Sequence, residues 1–286
     1  MSDYSPVALP GSETRILKSS IVNDTYRLNV VLPTGYNQSD DCYPVVYAAD
    51  GNRSVFTISQ VASMLATSGE LPPLIVVGVG YPTDDPAEIF VRRTRDYNPP
   101  SDEAHDRRYM EQFHLDSIET GGTEEFLRFI REELKPFMNT NYRTDPHDAA
   151  YVGHSGGGTF GLYALFSHPE TFNRYVIGSP TIFRGDNALL SYEQDYAENH
   201  DDLPATVFLS AGEREEIDDP LLLMFDADPE ELKLVTNVKI LTRSLQKRNY
   251  PKLHLTCHIF KDETHLSVIP TTYSRGLRDV FKSSNS

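Results

Sequence analysis

Tyr151-Val152-Gly153-His154-Ser155-Gly156-Gly157-Gly158 is the stretch on which the reading of this chain turns. An apolar run ending at Val152 reads as a strand, and Thr159-Phe160-Gly161-Leu162-Tyr163-Ala164-Leu165-Phe166 reads as a helix. A Gly-x-Ser-x-Gly pattern therefore falls on a sharp turn between strand and helix. That context predicts a nucleophile elbow, in which a strained turn at the carboxyl end of a strand exposes the Ser155 hydroxyl. The glycines suit positions that leave no room for a Cβ or need positive φ. A bare Gly-x-Ser-x-Gly also arises by chance in Gly-rich connections, so the weight lies on the strand-turn-helix placement.

Outward from the elbow the pattern keeps alternating. Upstream, Thr14 to Ser20 and Thr25 to Leu32 read as strands, the second with Tyr26, Leu28, Val30 and Leu32 on one face, as in an antiparallel edge. Pro44 to Ala49 and Leu74 to Val79 are short and continuously apolar, as expected of strands covered on both faces. Between them Ser54 to Ala66 carries Val55, Ile58, Val61, Ala62 and Leu65 at helical spacing. Residues 82–122 have clustered charges, a Pro-Pro pair and no sustained period, and read as a long inserted loop over the carboxyl edge of the sheet. Thr123 is expected to cap a helix with Phe126, Ile130, Leu134 and Phe137 on its core face. Downstream, strands at Arg174 to Ile177, Ala205 to Ser210 and Leu253 to Phe260 alternate with helices at Ile182 to His200, Glu230 to Lys247 and Val268 to Phe281. The expectation is one α/β domain spanning 1–286, with a mostly parallel, doubly wound sheet and an antiparallel N-terminal edge.

Composition narrows the function. The 286 residues are 39 % hydrophobic and 24 % charged, with a net charge of −16. That acidity argues against nucleic acid or an anionic membrane as the main partner. Met1 to Ser20 shows no basic n-region followed by an apolar one, and Cys42 and Cys257 lack metal-ligand spacing. A cytoplasmic chain with two free thiols and no metal or organic cofactor is the expectation; a homo-oligomer stays open.

A nucleophilic serine needs a base, and the base an orienting carboxylate, in chain order serine, acid, histidine. Ala211-Gly212-Glu213-Arg214-Glu215-Glu216 follows one strand, and Glu263-Thr264-His265-Leu266-Ser267 follows the last. Glu215, three past the glycine, has room to turn back toward the base, while Glu213 is still leaving the strand. Of nine histidines, His265 alone combines order, loop position and small polar neighbours. His154 points away from the nucleophile and reads as filler. His254 and His258 suit a solvated edge strand, and His105 and His114 an exposed insertion. Two backbone donors are needed for the oxyanion: Gly156, and Asn52 in the loop Asp50-Gly51-Asn52-Arg53.

With those pieces assembled, the chain resembles the "putative esterase" family of α/β-hydrolases, which includes siderophore trilactone esterases, S-formylglutathione hydrolases, feruloyl esterases and mycolyltransferases. The nearest likeness is to bacterial hydrolases close to the siderophore esterases. The matching stretches are Tyr47 to Asn52, Arg92 to Tyr97, Gly121-Gly122, Gly153 to Gly157, Gly212 to Glu215 and Glu263 to His265. The resemblance implies an α/β-hydrolase fold, Ser155 as nucleophile, His265 as base and Glu215 as acid. Absence of tryptophan departs from the family pattern. The expected reaction is two-step transfer of an acyl group from an ester to water. The substrate is a small, aryl or siderophore-type ester. Arg53, Arg92 and Tyr97 are the candidate substrate contacts. Arg92, Arg93 and Arg95 can also pair with Asp96, Asp102, Glu103 and Asp106, and Tyr81, Phe90 and Tyr109 offer an aromatic wall. An acyltransferase, a serine peptidase and a catalytically inactive binding module are the rival readings.

Overall fold

The computed structural model describes residues 8–99, 106–107, 110–111, 115, 117–182, 184–224 and 232–282. Eight strands form one sheet in the order β1-β2-β4-β3-β5-β6-β7-β8. They are β1 Ser12–Lys18, β2 Thr25–Val31, β3 Tyr43–Ala48, β4 Ile75–Gly80, β5 Thr144–His154, β6 Arg174–Gly178, β7 Thr206–Gly212 and β8 His254–Phe260. Two pairings, β1 with β2 and β2 with β4, are antiparallel; the rest are parallel. This is the α/β-hydrolase fold, with the antiparallel N-terminal edge that the alternation of Tyr26, Leu28 and Val30 predicts.

Period-two alternation divides the core. Val46, Ala48, Val76, Ala150, Val152, Val176 and Phe208 face one layer, made by helices α1 (Ser54–Thr67) and α9 (Val268–Val280). Val45, Tyr47, Ile75, Val77, Tyr151, Tyr175, Ile177 and Leu209 face the other. Because both faces are covered, the central strands are apolar throughout. Helix α5 (Gly156–Ser167) lies under the second layer and is buried from Gly156 to Phe166.

Two expectations need correction. The 82–122 segment is not only loop: α2 (Pro86–Tyr97) is helical, with Asp85 accepting from Ala87 N–H at its start and Pro86 in its first turn. Its apolar stripe is sparse because polar atoms bury this helix instead. Asp96, fully buried, accepts from the Tyr26 and Tyr81 hydroxyls at 2.9 and 3.0 Å and from Arg95 Nε at 2.7 Å. Arg95 and Arg92 both reach Asp24, at 2.8 and 2.6 Å. Polar staples of that kind leave no hydrophobic period for a sequence reading to find. His105, Tyr109 and His114, with Asp102 and Glu103, lie outside the described residues.

The second correction concerns the helix expected from Thr123. Gly122 precedes its first turn, and Thr123 is buried inside that turn without a cap bond. After α3 (Thr123–Phe129) comes a π turn, Ile130–Leu134, and then α4 (Lys135–Asn141). Pro136 has no N–H to donate back along the helix, and the wider turn accommodates it. The extra residue shifts the phase, so the buried stripe runs Phe126, Ile130, Leu134, Met138, and Phe137 is only partly covered.

Asp96→Ala should test the α2 staple. Leaving Arg95 and two tyrosine hydroxyls without their shared acceptor should cost about 3 kcal/mol in urea unfolding. A loss under about 1 kcal/mol would mean that this network does not hold the helix.

Candidate active site

At the end of β5 the backbone turns sharply. Ser155 has φ 57° and ψ −124°, a conformation that costs a residue with a side chain on the order of 1–3 kcal/mol unless its surroundings impose it. They do so here. Ser155 N–H donates to Gly178 O on the neighbouring strand at 2.9 Å, and the Tyr151 hydroxyl donates to Gly157 O at 2.6 Å. A Cβ on Gly153 would sit 2.3 Å from Gly157 O, so the strand and helix can approach this closely only through glycine.

His265 and Glu215 meet beside this turn. His265, 5 % exposed, lies on the loop after β8; Glu215, fully buried, lies on the 3₁₀ turn Glu213–Glu216 after β7. Their approach is 3.2 Å, from Nδ1 to Oε2. The other carboxylate oxygen, Oε1, accepts from Ser179 Oγ at 2.6 Å and from Gly212 N–H at 2.8 Å. Glu215 is thus fixed on both oxygens, with Nδ1 of His265 engaged and Nε2 left for other work. Glu213 is exposed on the same turn.

His154 does not behave as inert filler. Its ring packs on the His265 ring, with centroids 4.6 Å apart and planes inclined at 49°. It is buried, and neither ring nitrogen makes a well-formed hydrogen bond among the described residues. Burial first, and then the charge of His265, push its pKa well below the ordinary histidine value, outweighing a weak contact to the His265 main chain. His254 and His258 are exposed on β8, the sheet edge.

The loop after β3 closes over the elbow. Asp50 adopts φ 54°, and Gly51 donates to Val79 O at 2.8 Å; a Cβ on Gly51 would lie 2.2 Å from the Gly78 carbonyl carbon. The Asn52 side chain ties this loop to the end of β4, donating to Tyr81 O and Thr83 O and accepting from Tyr81 N–H. Among the described residues, neither Asn52 nor Gly156 donates its own main-chain N–H to any group.

The three proposed substrate contacts fare differently. Arg53 is exposed at the start of α1, with no ion-pair partner among the described residues. Arg92 is spent within the fold: it binds Asp24, Glu88 and the Thr25 carbonyl and lies over the Tyr81 ring. Tyr97 is in the core, where its hydroxyl accepts from Asp50 N–H at 2.9 Å, so it supports the loop rather than facing a ligand. Tyr81 is likewise core. The cation that does reach the elbow is Arg93. It forks onto Asp50 at 2.6 and 3.1 Å, and a Cβ on Gly156 would come within 2.8 Å of its Nη1. A helical period through α2 would have separated Arg93 from Arg92. Sequence reasoning also passed over Ser179, although it directly follows a strand that ends beside the elbow.

Residues 19–268 match the family model for esterases described as "Putative esterase". The chain belongs to that family. Over 275 residues it is 28 % identical to the ferri-bacillibactin esterase BesA of Bacillus subtilis, covering 94 % of this chain and 89 % of that protein. It is also 27 % identical to the siderophore triacetylfusarinine C esterase of Aspergillus fumigatus, covering 97 % and 95 %. Among solved structures, the BES protein from Bacillus cereus superposes with a TM-score of 0.79 at 27 % identity, covering 98 % of each chain. The siderophore hydrolase EstB from Aspergillus nidulans, at 23 % identity and a TM-score of 0.82, shows the same fold over 99 % of each chain. The protein is therefore an esterase, a carboxylic ester hydrolase. No helix among its described residues is long and apolar enough to cross a membrane. Cys42 and Cys257 are free.

The buried His154 of this esterase gives a pH test. Its folded-state pKa is lowered, so below about the ordinary value of 6.5 the unfolded chain binds a proton that the folded one refuses. Its share of stability is present above that value and lost as pH falls through it. In His154→Gln, stability measured by urea unfolding should fall less steeply between about pH 6.5 and pH 5 than in the wild type. Equal slopes would mean that His154 does not carry this linkage.

Proposed function

We propose that this esterase works through a serine acyl-enzyme and takes siderophore-type esters. The observation that carries the reading is the buried Glu215–His265 pair beside a serine held at positive φ. In the first step Ser155 Oγ gives its proton to His265 Nε2 and attacks the ester carbonyl carbon. Glu215 on Nδ1 fixes the tautomer and stabilises the imidazolium that forms. The N–H groups of Gly156 and Asn52, uncommitted among the described residues, receive the oxyanion. His265 then returns the proton to the leaving alkoxide, the C–O bond breaks, and an alcohol departs. Water repeats the sequence on the acyl-enzyme, releasing the acid and the Ser155 hydroxyl.

The substrate class rests on two supports. The relatives described above act on siderophores by their names, and they align over nearly the whole chain. The site itself adds Arg93: Asp50 holds its Nε and Nη2, while Nη1, beside Gly156, donates to no group among the described residues. Donors left over there favour an ester carrying anionic oxygen over a neutral one.

A panel of short and long p-nitrophenyl esters, feruloyl esters and a trilactone siderophore, run on wild type and Ser155→Ala, tests the reading. Turnover should fall about 10⁴-fold or more in the variant, and fluorophosphonate should label only the wild type. Undiminished turnover would overturn the mechanism. Arg93→Gln should lower kcat/KM for the siderophore about ten-fold more than for p-nitrophenyl acetate. An equal loss on both would remove the anionic-substrate argument.

A further inference from the structure

A second carboxylate converges on His265. Asp219 is fully buried, three residues beyond the turn that carries Glu215. Its Oδ1 accepts from Leu221 N–H at 2.9 Å and Leu222 N–H at 3.3 Å, at the start of α7 (Pro220–Met224). Its Oδ2 accepts from the main-chain N–H of His265 at 2.5 Å. Among the described residues it has no ion-pair partner, and Arg214 on the same turn is bound to Asp218 instead. A buried carboxylate held only by amides is costly. One oxygen, from asparagine or serine as well as aspartate, would cap so short a helix. The second oxygen, and the full charge, are spent on the backbone of the histidine.

We propose that Asp219 is a positioning residue of the hydrolytic reaction, fixing the His265 main chain while Glu215 fixes its ring, and placing a second carboxylate on the residue that would carry the imidazolium. This rests on the reading of His265 as base. Two constraints define an imidazole: where its Cα stands and how its ring is turned. Glu215 controls only the second. The loop Glu263 to Ser267 has no strand of its own; Glu263 O accepts from Arg214 N–H at 2.9 Å and Thr264 O from Val268 N–H at 3.0 Å on either side, and at His265 itself the main-chain N–H is held by Asp219. Other charged and titratable groups around the site are His154 from the elbow, Arg93 from α2 with its partner Asp50, Glu263 on the same loop, and Tyr273 from α9. Of these, His154 packs directly on the ring.

Asp219→Asn keeps the shape and an acceptor and removes the charge. It should lower kcat for a p-nitrophenyl ester about ten-fold with KM within about two-fold, as for other partners that orient a reacting group. The acidic limb of kcat/KM should move to lower pH, because the imidazolium loses a nearby anion. A lower thermal midpoint with kcat and pH profile unchanged would reduce Asp219 to a helix cap and overturn the proposal. The His265 imidazole can be titrated by NMR in Ser155→Ala, which needs no turnover. A midpoint moved down by adding D219N supports the proposal even if the esterase mechanism fails, and an unmoved midpoint refutes it. Should D219N not fold, Asp219→Ser, which keeps a helix-capping oxygen and removes the charge, takes its place with the same two readouts; an unchanged kcat and an unmoved His265 midpoint would refute the proposal.

Discussion

One backbone residue in an unfavourable conformation holds the site together. Ser155 stays at positive φ because the strand, the helix and the neighbouring strand leave it nowhere else to go: β6 takes its N–H, and the helix presses against Gly153. The strain of about 1–3 kcal/mol is spread over a fully buried helix and a sheet covered on both faces. A rigid core is thus the condition for an exposed hydroxyl. The loops that follow β3, β7 and β8 all rise at the same carboxyl edge of the sheet as the elbow.

The sheet and its helices were legible because their signals are local and periodic. Continuous apolar runs mark covered strands, alternation marks β2, and a stripe at helical spacing marks α1. Ser155, Glu215 and His265 were legible because each sits directly after a strand. What escaped was held by polar atoms. Helix α2 buries Asp96 and cations bound to Asp24, so it lacks the apolar stripe that identifies a helix. Choosing Arg92 and Tyr97 over Arg93 followed from that, since without the helix their facing directions were unknown. The π turn was invisible for a similar reason: an inserted residue changes the phase of a pattern, not its composition.

The acidic composition of the chain and the three arginines of α2 fit together through burial. Arg92 and Arg95 neutralise Asp24 and Asp96 inside the fold, where an unpaired charge would be costly. Arg93, two residues before Arg95, extends to Asp50 and so braces the loop that closes over the elbow. The same short helix therefore anchors itself and delivers one cation to the reacting edge. His154 completes that edge from below, a neutral ring on which the imidazole of His265 rests.

The chain order has a temporal consequence during synthesis. Ser155 stands in the turn just after β5, while His265 arrives only after β8, which pairs with β7, and just before α9, which packs against the early helix α1. A nascent chain emerging amino end first can fold the elbow before the strand that leads to His265 has been made. The Glu215–His265 pair beside the elbow is completed only once β8 has joined β7 and the loop after it is in place.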